Sequence, residues 1–258
     1  MTQKIAIISG KGGVGKTTIT ANLGTLLSLR GINCEVVDAN IGVPNLGIHL
    51  NAPKIQYEIR DVLLGKANLG DAGFQNEDGL KILSANIAKR PQHKNLTLTN
   101  LSNILSHSKT DYVIMDSPPG VNQESDEVFN ACDSLIIITT PDLPAVTASI
   151  ELIENARNHN KKITGLVINR VAGKPYELNP SEIAKRCNIN ILGIIPEDAL
   201  IPESIALRIP LVKYAPNSKA AIAFQDVATL VQDKPLTKRS KTKRTIIAFI
   251  AFLQNIFS

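Results

Sequence analysis

The octapeptide GKGGVGKT at residues 10–17 constrains the fold of this chain more than any other feature. It stands directly after an apolar run of strand length, KIAIIS (4–9), and opens a segment of helical character, Lys16–Arg30. The spacing G-x-x-x-x-G-K-[ST] in that setting predicts a strand, a tight glycine loop and a helix whose N-terminus faces the loop. Gly10, Gly12, Gly13 and Gly15 let the backbone turn several N–H groups inward, and the helix dipole adds positive potential at the same place. Such a loop is expected to cradle phosphate through the backbone of residues 10–18 (Val14 and Thr18 included). Lys16 is expected to reach the β- and γ-phosphates of a nucleotide, and Thr17 to ligate Mg²⁺.

The rest of the chain repeats the strand-then-helix order. Six further runs rich in Ile and Val (33–38, 80–85, 111–116, 134–140, 163–169 and 189–195) lack polar alternation, as strands buried on both faces of a parallel sheet do. Between and after them, Leu96–Ser106, Gln123–Ala131, Ala145–Asn158, Pro180–Cys187 and Ser218–Val231 read as helices. The expected fold is α/β: a doubly wound, mostly parallel sheet with helices on both faces, occupying residues 1–236. Residues 51–79 and 86–95 are the least regular, and 237–258 form a separate basic linker and tail.

Charge sharpens that division. The net charge is +5, but residues 237–258 hold five basic side chains (Lys238, Arg239, Lys241, Lys243, Arg244) and no acid. Without them the remaining 23 basic residues meet 23 acidic ones, which argues against a generally nucleic-acid-binding body. Cys34, Cys132 and Cys187 are far apart and fall in or beside apolar stretches, so reduced, partly buried thiols are expected. The four histidines are equally scattered. The N-terminus turns glycine-rich too soon for a signal peptide, and no run reaches the roughly 18 apolar residues of a membrane span.

Two aspartates complete the candidate site. Asp116 ends the apolar run DYVIMD and precedes SPPG, so it is expected to hold Mg²⁺ through water; Asp38 also ends a strand, where open α/β sheets place their ligand groups. With its second lysine, Lys11, the loop reads KGGVGKTT. This signature resembles the deviant Walker A ATPases: the MinD cell-division regulators, the ParA partition proteins and the nitrogenase iron protein. Within that group SGKGGVGKTT (9–18), VVDANIGVPNLGIHL (36–50), DVLLGKA (61–67), DYVIMDSPPG (111–120), VINR (167–170) and GIIPED (193–198) are most similar to MinD, particularly its archaeal branch.

The resemblance implies an ATPase that forms an ATP-dependent homodimer, with Lys11 reaching the phosphates of the partner's nucleotide. It implies that Asn169, with Arg170 beside it, meets the adenine edge, and that Pro196, Glu197 and Asp198 flank the base. It also implies that Asp38 and Asp116 share the Mg²⁺ site. The family's usual switch motif is Asp-x-Asp, whereas this chain reads Asp38-Ala39-Asn40. Asn40 can hold a water by hydrogen bonds but cannot take its proton, so slow hydrolysis is expected.

In the tail, Ile246, Phe249, Ile250, Phe252, Leu253, Ile256 and Phe257 share one helical arc, and Arg244, Ala248, Ala251, Asn255 and Ser258 share the other. A helix too short to span a bilayer can lie in its interface, with the preceding Lys/Arg cluster on anionic headgroups. MinD proteins are similar in ending on an amphipathic membrane-targeting helix. The expectation is a peripheral switch at the inner face of the cell membrane that positions the division site or another structure; its activator or cargo is not readable. The rivals are a helix packed on its own body, a ParA-like DNA-partition ATPase, and an ATP-binding scaffold with little turnover. A nitrogenase-type reductase is disfavoured because its cluster needs cysteine ligands that this chain does not place suitably.

Overall fold

The computed structural model describes residues 2–85 and 96–232. The tail expectations, and the irregular segment 86–95, lie outside the described residues. In chain order the elements are β1 (Gln3–Ile8), α1 (Lys16–Leu29), β2 (Cys34–Asp38), α2 (Leu46–His49), α3 (Ile59–Leu63), β3 (Phe74–Gln75), β4 (Lys81–Leu83), α4 (Leu101–Ser106) and β5 (Tyr112–Asp116). They continue with α5 (Gln123–Ala131), β6 (Ser134–Thr139), α6 (Leu143–Asn158), β7 (Lys162–Val171), α7 (Pro180–Cys187), β8 (Ile191–Pro196), α8 (Leu200–Ala206), α9 (Leu211–Tyr214) and α10 (Lys219–Val231).

One sheet of order β3-β4-β2-β5-β1-β6-β7-β8 joins all the strands, and every pairing except β3–β4 is parallel. The absence of polar alternation has its reason in two separate cores. Along β1, Ala6 and Ile8 face one apolar cluster with α3 to α7, while Ile5 and Ile7 face the other with α1, α9 and α10. Successive side chains point to opposite faces, so a strand covered by helices on both sides must be apolar throughout. The sheet is doubly wound, as expected.

The seven anticipated strands are present, and the short elements are where the pattern failed. The expected helix Leu96–Ser106 begins only at Leu101, because Asn100 sits at φ 79 and turns the chain after Leu98 is buried. Within 51–79, α3 carries a reciprocal cap between Glu58 and Asp61, and β3 closes antiparallel on β4 through Phe74 and Ile82. Elements of two to seven residues, α2, α8 and α9 among them, are too short to display a period.

Chain direction places the site. After β1 the chain crosses to β2 on one side, whereas after β5 it crosses to β6 on the other side of β1. The loop following β1 therefore sits where the connections diverge, at the carboxyl ends of the strands, which is where open α/β sheets form a ligand crevice.

Candidate nucleotide site

Residues 9–15 wrap from the end of β1 to the start of α1. Gly15 caps α1 at φ 99 with no side-chain hydrogen bond, and no acidic residue occupies the first turn, so the first N–H groups of the helix face the loop uncapped. The glycines serve different ends. Gly15 needs its left-handed conformation, and a Cβ there would lie 2.3 Å from Nδ2 of Asn169. Gly10 is required by packing instead: a Cβ would stand 2.0 Å from the carbonyl oxygen of Ala148 on α6.

Lys16 is buried, and its Nζ donates to Oγ of Ser9 at 2.8 Å while Ser9 Oγ donates to the carbonyl of Lys11 at 2.7 Å. Burial lowers the Lys16 pKa, and the charge of Asp116 opposes that. Thr17 Oγ1 donates to Oδ2 of Asp116 at 2.6 Å; Oδ1 of Asp116 is buried with no hydrogen-bond partner. Burial raises the Asp116 carboxyl to about 6, against the hydrogen bond from Thr17 and the charge of Lys16.

Asp38 is the cross-strand partner of Asp116 between β2 and β5, and both are buried. Asp38, expected to share the Mg²⁺ site with Asp116, is engaged here by its own chain. Its Oδ1 accepts the N–H of Asn40 at 3.1 Å, and its Oδ2 accepts those of Asn45 and Leu46 at 3.0 Å each. It anchors the loop between β2 and α2. Its pKa is raised by burial and then by Asp116, with those three N–H groups pulling the other way. Asn40 is only partly buried on the same loop. Arg60, which the sequence did not flag, is buried beneath the loop and donates to the carbonyl of Ile41 at 2.8 Å.

Asn169, near the end of β7, is buried and donates from Nδ2 to the carbonyl of Val14 at 2.7 Å, tying β7 to the glycine loop. Its Oδ1 has no partner. Arg170 is exposed at φ 58. Pro196 ends β8 and Glu197 is exposed, but Asp198 is engaged structurally: its carboxylate accepts the N–H of Leu200 and that of Ala220, at the starts of α8 and α10. Thr18 accepts at its carbonyl from Asn22 at 2.8 Å inside α1. Lys11 extends outward to Asp142, with Nζ 3.7 Å from Oδ1 and both side chains about half exposed (51% and 47%).

Ser9, Asn45, Arg60 and Asp142 are thus part of the site without having been anticipated. Ser9 and Asn45 lie inside quoted motifs, so their presence was visible but not their partners. Arg60 and Asp142 carry no local signal.

Comparison with known proteins agrees with this geometry. Residues 1–232 match the ParA family, described as NUBPL iron-transfer P-loop NTPases. An uncharacterized ATP-binding protein of Methanocaldococcus jannaschii is 30% identical over 98% of this chain and 96% of its own length. The septum site-determining protein MinD of Bacillus subtilis is 31% identical over 88% of each chain. MinD of Pyrococcus horikoshii, solved with Mg-ADP, superposes with a TM-score of 0.84 at 29% identity, over 90% of this chain and 96% of that one. The loop, the paired strand-end aspartates and these relatives make the chain a member of the ParA/MinD family of P-loop NTPases, of the archaeal MinD-like type.

Proposed function

We propose that this chain binds Mg-ATP at the site described, dimerises on it, hydrolyses it slowly, and uses the cycle to move on and off an anionic membrane as a MinD-type positioning switch. One observation carries the nucleotide part of this reading. A buried lysine, a hydroxyl and a carboxylate with an unpartnered oxygen converge on an uncapped helix N-terminus. An orphaned buried acceptor is costly, and a hydrated divalent cation beside Asp116 and Thr17 would satisfy it. The unpartnered Oδ1 of Asn169 likewise suits the amino group of adenine, with Arg170, Pro196 and Glu197 around the base.

The chain's own residues divide the work. Lys16 and the backbone of residues 10–18 hold phosphate oxygens, Lys16 exchanging Ser9 for phosphate. Mg²⁺ supplies charge neutralisation at the β- and γ-phosphates. Asp38 keeps the loop carrying Asn40 in place, and Asn40 orients the attacking water by hydrogen bonding alone. Lys11 leaves Asp142 to meet the nucleotide of a second copy. Two tails (238–258) then act together, because bivalency multiplies weak individual affinities.

The iron-transfer activity in the family's description finds no support in the cysteines. All three thiols are buried and free, and burial raises their pKa, Cys132 to about 12. Asn40 favours a second reading, an ATP-binding scaffold with little turnover, and measured phosphate release separates the two. The decisive experiment compares full-length protein with residues 1–236 in vesicle co-sedimentation, each with ATP and ADP. Binding should require both the tail and ATP; a full-length protein that never sediments with anionic vesicles sinks the membrane reading.

A further inference from the structure

Arg60 occupies a place that its local sequence does not explain. It lies in α3 between Ile59 and Asp61, on a helix capped reciprocally by Glu58 and Asp61, where a long cation would ordinarily reach solvent. Instead its side chain is only 7% exposed and that of Glu58 only 5%. Nη1 of Arg60 stands 3.9 Å from Oε2 of Glu58, and Nη2 donates to the carbonyl of Ile41 at 2.8 Å. α3 is itself tied to the sheet, because the N–H of Ile59 donates to the carbonyl of Ser84 just past β4.

Burying a guanidinium is costly unless it is paired and hydrogen-bonded. Packing alone would be served better by an apolar side chain, and Ile41, Ile59 and Val62 already share one apolar cluster here. What the arginine adds is direction. A charge-assisted bond from a planar fork held beside Glu58 fixes the plane of the peptide between Ile41 and Gly42.

That peptide lies one residue past Asn40. The loop therefore has two anchors around Asn40: Asp38 accepts its N–H at 3.1 Å, and Arg60 holds the carbonyl of the residue that follows. Ala39 and Ile41 on either side are buried, whereas Asn40 is only partly so. Among the described residues the Asn40 side chain has no hydrogen-bond partner, which leaves its amide for solvent.

The chemistry makes that placement matter. An amide assists a water only through the position of its hydrogen bond, because it cannot take the proton. Phosphoryl transfer in turn depends on positioning. We infer that Arg60 is a positioning residue for hydrolysis: through the Ile41 carbonyl it sets the backbone that aims Asn40 at the attacking water. The inference rests on the hydrolysis reading above and names a second anchor, on another helix, for that step.

The test follows single-turnover phosphate release from Mg-ATP by the full chain, with ATP affinity and melting temperature measured on the same samples. Arg60→Met removes the directed bond. Arg60→Lys keeps a cation beside Glu58 but lacks the fork that meets both groups. Lys81→Met is the control for lost stability: it breaks another pairing to a buried acid, Lys81 with Glu35 at 3.2 Å, near the opposite ends of the strands. Arg60→Met should slow release by about 10–100-fold while ATP affinity changes by less than about threefold, with Arg60→Lys between it and wild type. Lys81→Met should melt earlier yet release phosphate at the wild-type rate. On an Asn40→Ala background Arg60→Met should cost less than about threefold more, since a residue acting through Asn40 then has nothing to aim. Equal slowing in Arg60→Met and Lys81→Met, weaker ATP binding without slower release, or an undiminished effect on the Asn40→Ala background overturns the role of Arg60 and leaves hydrolysis standing. If Arg60→Met does not fold, Arg60→Lys decides alone, and a wild-type rate there overturns the role. No phosphate release by wild type removes both readings.

Discussion

The ends of β2 and β5 offer two buried aspartates, side by side in register and in opposite states. Asp38 accepts three backbone N–H groups, whereas Asp116 accepts one hydroxyl and keeps an oxygen without a partner. Both are shielded from water, which raises the cost of charging each, and Asp116 adds to that cost for Asp38. The difference shows that a buried acid is informative through its satisfaction, not its burial. A satisfied carboxylate organises its own chain; an unsatisfied one keeps acceptor capacity for a water or a ligand.

The comparison breaks first at Asp116. Asp116→Asn can still accept from Thr17 but removes a buried charge, so Mg²⁺-dependent nucleotide binding should fall by about 10–100-fold. The nucleotide-free protein should gain about 1–3 kcal/mol, since a carboxyl held near 6 is destabilising at neutral pH. Calorimetric titration and thermal melting read both, and a lower melting temperature would show that Asp116 is structural like its neighbour.

Asp38→Ala should do the reverse. Three N–H groups lose their acceptor, a cost that the relieved repulsion from Asp116 offsets only in part. The expected loss is about 3 kcal/mol, or roughly 6–12 °C in melting temperature for a chain of this size. An unchanged melting temperature would mean the loop finds other acceptors.

A pH series sharpens the contrast with a smaller effect. Both folded carboxyls titrate above their unfolded value, so their contribution to stability is fully present below pH 4 and is lost as pH rises through the folded pKa, near 6 for Asp116. Without nucleotide, wild type minus Asp116→Asn stability should therefore fall by about 1–3 kcal/mol between pH 4 and 7. A flat difference would show that burial does not raise the Asp116 carboxyl.

The smallest effect belongs to the exposed pair. Asp142→Asn keeps the helix cap to Ala145 but loses the half-exposed 3.7 Å ion pair with Lys11 and the carboxylate oxygen that accepts from Thr140, so stability should fall by about 1 kcal/mol or less. Dimerisation in ATP, followed by sedimentation, should be retained or strengthened because Lys11 is freed. Loss of the dimer would instead make Asp142 part of the interface.

How much was legible depended on the range of the interaction. The glycine loop, the strand before it and the helix after it declare themselves within thirty residues, because backbone conformation and buried strands impose local rules on residue type. Asp116 was legible by its place at the end of an apolar run. The backbone contacts of Asp38 were not, since nothing in DANIGVPNL says that the loop will fold back and spend three N–H groups on it. Short elements such as α3 and β3 were missed because two to five residues contain no full period. Lys11 shows the same limit: its type and place were evident, its resting partner was not.

By itself, then, the sequence determined a phosphate-cradling loop, a doubly covered parallel sheet and a body of zero net charge. Only the tertiary structure decided that Gly10 yields to Ala148, that Asn169 is tied to Val14, and which aspartate stays open. Residue types and spacing encode what neighbours along the chain must do, whereas charge compensation and hydrogen-bond satisfaction are properties of neighbours in space, settled when separate elements pack.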